Sequence, residues 1–219
     1  MKLHPALAIT FLLPTLSLGI ACQTSGNQKA DSTAMHMDEL RSAVNSMKEK
    51  VTAAATSLAE VVQKGETDPK PAFDKYKKDV EAVVSGFSRT ESNLKSMRAE
   101  GQSYFAEWEK QAATITDPDL KKSAEERRAR LQKAVEAVSS AMEAAGAEIK
   151  PYLASIKDVQ TYLSNDLTPS GVESIEGKSK QIRKDADSIC EKLDDVVEAV
   201  EKGAPEFKTA KPPPPPPKT

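Results

Sequence analysis

From Met37 onward, apolar residues recur at alternating intervals of three and four, with polar residues filling the places between. The first run reads Met37, Leu40, Val44, Met47, Val51, Ala54, Leu58 and Val61. It stops at Gly65, which suits the left-handed residue that closes many helices. Thr67-Asp68-Pro69 restarts the chain, with a capping side chain ahead of a proline fitted to the first helical turn. The second run reads Phe73, Tyr76, Val80, Val83, Phe87, Thr90, Leu94, Met97, Gly101, Tyr104, Trp108, Gln111 and Ile115, and Thr116-Asp117-Pro118 marks the next stop and start.

The third run opens with Leu120, Ala124, Arg127 and Leu131, then slips by one residue to Val135. It continues through Val138, Met142, Ala145, Ile149, Tyr152, Ile156, Val159 and Leu163. Such a slip is a stutter, which locally unwinds a supercoil. Pro151 lies inside this run and predicts a kink or a new helix start, because proline lacks a backbone donor and clashes with the preceding turn. Thr168-Pro169 punctuates again, with Ser170 and Glu173 spaced as a capping box. The last run is Val172, Ile175, Ser179, Ile182, Ala186, Ile189, Leu193, Val196 and Val200, closed by Gly203 and Pro205.

A narrow stripe repeating near 3.5 residues favours long helices packed side by side over a compact globule. The pattern therefore predicts an all-α chain, an elongated antiparallel helical bundle or coiled coil of three to four long helices over residues 37–203. Six of the nine aromatics after Cys22 fall in the second run, whereas the first and third are rich in alanine. Large side chains of one helix are expected to fill what small ones leave on its neighbours. With 5% aromatic and 29% charged residues, the composition disfavours a large β-rich core.

Ahead of the helices the chain reads as a secretory leader over residues 1–21. Lys2 gives a thin positive start and Ala6–Ile20 is nearly all apolar, too short and interrupted for a comfortable membrane span. Leu18-Gly19-Ile20-Ala21-Cys22 resembles a bacterial lipobox, in which the cysteine is lipidated and becomes the first mature residue. Gly19 departs from the leucine usual at its position, and an ordinary leader cut nearby is the alternative. Gln23 after Cys22 resembles the outer-membrane sorting pattern, so the expected location is the bacterial envelope, lipid-anchored and facing the periplasm. Residues 22–36, rich in small polar side chains, read as a flexible tether. Residues 204–219 read as a disordered proline-rich tail whose six prolines, Pro212–Pro217, form a polyproline II spacer or dock to an aromatic groove.

Candidate chemistry is sparse. The net charge of -2 gives no reason to expect nucleic acid as a partner. After the leader His36 is the only imidazole, no glycine-rich phosphate loop appears, and Ser92-Asn93-Leu94-Lys95 has no companion motif. The carboxylate pairs Glu107/Glu109 and Asp194/Asp195 do not face each other on a helix, and no Glu-x-x-His metal element is present. No catalytic residue, metal or cofactor is assigned, and no enzyme is expected. With Cys22 lipidated, Cys190 has no partner in the chain and reads as a small hydrophobe, or as a bridge between two copies. Oligomeric state is left open.

Two contact surfaces stand out. Gly101, Tyr104, Phe105 and Trp108 form an aromatic cluster beside a glycine that leaves room in the seam, a place for a lipid or another apolar ligand. Lys121, Lys122, Arg128, Arg130 and Lys133 form a basic surface, diluted by Glu125 and Glu126, for anionic headgroups, an envelope protein or a wall polymer. Arg127, in the seam, needs an acidic partner or an escape to water.

Phe105-Ala106-Glu107-Trp108-Glu109 resembles the aromatic-x-x-Trp-Glu step of a bacterial family catalogued as domain of unknown function 2959. Ala147–Leu153, Lys157–Gln160 and Asn165–Leu167 resemble that family's Pro-x-Leu helix, Asp-Gln-x-Leu stretch and Asn-Leu turn, with Val159 set between Asp158 and Gln160. The resemblance covers most of residues 40–200; Thr168–Gly171 and the proline tail depart from it. It implies long helices and an envelope location, and no activity.

Overall fold

The computed structural model describes residues 26–208. Five helices follow one another: α1 (Gly26–Lys64), α2 (Lys70–Ala112), α3 (Pro118–Asn165), the single-turn α4 (Pro169–Ser174) and α5 (Glu176–Phe207). No strand occurs among the described residues. α1 packs on α2 and α5, and α3 packs on the same two helices. Neighbours run in opposite directions. Lys29 meets Ser103 at one end of the α1–α2 pair and Lys75 meets Glu60 at the other. Arg98–Ser139 and Tyr76–Ile156 set the same antiparallel sense for α2 and α3, and Ser188–Glu148 and Lys178–Ser155 for α3 and α5. At 1.5 Å per residue, the 43 residues of α2 and 48 of α3 make rods of about 65 and 72 Å.

The seam lies where the apolar spacing puts it. Every residue of the 37–61 run is buried, as is every residue of the 172–200 run. α1 buries a wider stripe, adding Ala43, Ala55 and Ser57, because it serves two neighbours. Buried tyrosines send their hydroxyls to backbone carbonyls of other helices. Tyr76 donates to Ile156 O at 2.7 Å and Tyr152 to Val51 O at 3.1 Å, so neither polar tip goes unpaired in the core.

The helix ends differ from expectation. α1 is already helical at Gly26, well before Met37, so residues 26–36 are helix and not tether. Ala30, Thr33 and Ala34 carry the three-four spacing back from Met37, and all three are buried. Gly65 is not left-handed, since no glycine among the described residues has positive φ. It is small because a Cβ there would lie 2.8 Å from Val172 Cγ1. α5 continues through Gly203 and Pro205 to bury Ala204 and Phe207, so the ordered bundle extends past residue 203. Gly203 faces Ala134, where a Cβ would meet the alanine methyl at 3.2 Å. α3 stays helical through Pro151.

At the starts, Asp117 caps α3 as expected, accepting from the amides of Asp119 and Leu120. Before α4 the cap is Thr168, which accepts from Gly171 N at 3.1 Å, in place of the Ser170–Glu173 box. Ile175 then breaks what reads in sequence as one helix into α4 and α5.

Candidate functional site

The α2–α3 hairpin tip is the part of the molecule where apolar spacing and burial separate. The last buried residue of α2 is Tyr104 and the first of α3 is Leu131; between Phe105 and Arg130 nothing is fully buried. The cause is the length of α5. It ends at Phe207, level with Tyr104, whose ring centroid is 5.8 Å from that of Phe207. Arg127 marks the same level on α3, donating to Glu206 O at 2.9 Å. Beyond it, among the described residues, the end of α2 and the first turns of α3 have no fourth helix beside them. Leu120 keeps the heptad spacing there but is exposed, and Ala124 is only half-buried.

Gly26 and Asn27 of α1, Tyr104, Trp108, Gln111 and Ala112 of α2, Ile115 of the turn and Ala124 of α3 enclose a concavity of about 380 Å³ at this end. That is the size of a small-ligand site. Tyr104 forms its inner wall and meets Trp108 edge to face, with centroids 5.5 Å apart and planes at 85°. Burial holds the Tyr104 phenol up near pKa 12, against a smaller opposing pull from the Arg127 cation. Gln111 donates to Glu107 at 3.1 Å on the outer rim.

Tyr104 keeps ring contact with both Phe105, at 5.4 Å between centroids, and Trp108, but the aromatic cluster read from sequence serves two surfaces. Tyr104 and Trp108 line the concavity. Phe105 turns instead to a separate groove with Arg98, Gln102 and Val135. Gly101 leaves no room for a ligand, because Val135 fills the space: a Cβ on Gly101 would stand 3.4 Å from Val135 Cγ2, an ordinary contact. Gly26, Asn27 and Phe207 were hidden in sequence, the first two inside an apparent tether. The continuing spacing of Ala30, Ala34 and Met37, and of Val200 and Phe207, was the available signal.

The basic residues do not gather on one face. Arg128 pairs with Glu109 across the hairpin at 3.5 Å and is half-buried. Lys121, Lys122, Arg130 and Lys133 are exposed along α3, with Glu125 and Glu126 interleaved between them. Arg127 is exposed, its cation escaping the seam to the end of α5.

Elsewhere, His36 pairs with Glu39 at 2.9 Å, one turn along the surface of α1. Cys190 is partly exposed, with Thr52 Oγ1 3.7 Å and Lys48 O 4.0 Å from its sulfur. Among the described residues no three metal-ligating side chains converge, and no helix is long and apolar enough to cross a membrane. Cys22, the leader before it and the proline tail lie outside the described residues.

Residues 20–204 match a family described as protein of unknown function, DUF2959. The chain belongs to that family. The match takes in Cys22 and almost all of the five helices, the hairpin tip included. No curated protein matches the chain.

Proposed function

We propose that this DUF2959 protein is a non-enzymatic lipoprotein of the bacterial envelope, anchored through a lipidated Cys22, whose bundle of four long helices acts as spacer or interaction scaffold. Its expected seat is the outer membrane, facing the periplasm. The observation that carries this reading is that the chain is already helical at Gly26, four residues after Cys22. An anchor at Cys22 would feed directly into a rod of helices up to about 72 Å long. The narrow buried seam supports stiffness, and the mixed-charge surface supports a solvated exterior. Fractionation of cells making the wild type and Cys22→Ser tests it, with the mature amino-terminal mass of each. A diacyl or triacyl mass at Cys22 and loss of membrane association in the variant are expected. A free thiol on a soluble chain would sink the reading.

A second reading is a binding module for a lipid or other apolar ligand, favoured by the concavity beside Trp108. It is tested by titrating soluble Cys22→Ser protein with a lysophospholipid while following the emission of Trp108, the single tryptophan. An unchanged spectrum would remove it.

A further inference from the structure

Four residues of chain reach at most about 14 Å when fully extended. Whatever holds Cys22 therefore holds Gly26 within that distance. Gly26 in turn sits against the hairpin tip, since a Cβ on it would stand 3.4 Å from Gln111 Oε1. We propose that the α2–α3 tip is a bilayer-docking surface, resting Trp108, Ile115 and Leu120 in the interface between headgroups and acyl chains of the membrane that holds Cys22. This rests on the anchored reading and adds to it an orientation: the tip faces the membrane, and the α1–α2 and α3–α4 turns point away.

Three observations converge on the tip. Leu120 is 63% exposed, the most exposed large hydrophobic side chain among the described residues. Trp108 is only half-buried, on the rim of a concavity that opens at the same end. Indole rings favour the bilayer interface, where an apolar body and a polar N–H are both satisfied. And the end of α5 at Phe207 leaves the heptad position Leu120 with no helix to cover it among the described residues. A surface patterned as a seam but lacking its partner is the kind that apolar contact completes. Because Asp119, Glu125 and Glu126 stand among Lys121, Lys122 and Lys110, charge attraction is not the driving force. Zwitterionic and anionic bilayers are expected to serve alike. The acyl anchor holds the chain on the bilayer, and an apolar contact at the tip then sets its orientation.

The test is reconstitution of the full-length acylated protein into phosphatidylcholine vesicles carrying lipids brominated either near the headgroup or near the chain end. Trp108 is the sole emitter of its kind, so its quenching reports the depth of the tip. The expected result is a blue-shifted spectrum, quenched more by the shallow label than by the deep one. Leu120→Glu, at a position without core contacts, is expected to lose that quenching while the protein still floats with vesicles and keeps its helicity. Acylated protein that floats with Trp108 unquenched would overturn the docking and leave the anchor standing. A chain without acyl mass at Cys22 would overturn both. Trp108 shielded from brominated lipid in a chain that sediments as a dimer would assign the tip to a second copy and overturn the docking.

Discussion

Gly171 lies so close to Asp166 that a Cβ on it would stand 2.4 Å from the Asp166 carbonyl oxygen and 2.7 Å from its carboxyl carbon. Both belong to the turn that reverses the chain between α3 and α5. Backbone cannot retreat as the tip of a flexible side chain can, so Gly171→Ala must push the turn open. It would also disturb the bond from Gly171 N to Thr168 that caps α4. The expected cost is about 1–3 kcal/mol. Chemical denaturation of the variant checks it, and an unchanged midpoint would show that the turn yields freely.

Residues 26–36 are load-carrying helix rather than tether, which makes a sharp contrast at Ala34. This residue is 2% exposed, in the part of α1 that sequence composition disguises. Ala34→Glu would place a carboxylate in that seam with no cation designed to meet it, at a cost of about 3 kcal/mol or more. Thermal unfolding followed by circular dichroism should show the melting point fall by several degrees. A mobile linker would accept the same change silently.

The interior of the bundle was legible because each helix there has neighbours along its whole length. Wherever that holds, as from Met37 to Val61 or from Leu131 to Leu163, a three-four spacing and burial coincide almost residue for residue. The ends were not legible, for two separate physical reasons. Ala30, Thr33 and Ala34 are too small to announce a core, so a buried stretch passed for polar chain. Leu120, Ala124 and Arg127 carry the spacing but not the burial, since spacing records what a helix offers and not where its neighbour stops. Gly65 and Gly203 misled in the same direction: both are small to admit Val172 and Ala134, and neither ends its helix by turning left-handed. The site at the tip exists only because α5 ends at Phe207, a length that no local motif encodes.

Alkaline pH should loosen the fold through its buried phenols. Burial raises Tyr76 and Tyr152 well above the ordinary value of 10.0 and lifts Tyr104 to about 12. In the folded chain these groups stay protonated while their unfolded counterparts ionise, so the unfolded state binds fewer protons above pH 10. Their contribution is complete below that pH and is lost as pH rises, for Tyr104 between about 10 and 12. Urea midpoints measured across this window should decline. Tyr152→Phe, which removes one such phenol and its bond to Val51, should begin about 1 kcal/mol lower at neutral pH and fall less steeply.

Gly101, in the seam, and Gly146, outside it, offer a test of whether the seam glycine serves a ligand or is merely tolerated. A Cβ on Gly101 meets Val135 at 3.4 Å, a normal contact, and one on Gly146 meets nothing within 4 Å. Both lie inside long helices, where alanine gains about 0.5–1 kcal/mol over glycine. Gly101→Ala and Gly146→Ala should therefore each raise the unfolding midpoint, since at neither position does anything have to shift. If Gly101 kept open a path for an apolar ligand, its alanine variant would gain stability yet blunt the Trp108 response to lysophospholipid. With Val135 already filling that space, the response is expected to be the same in both proteins.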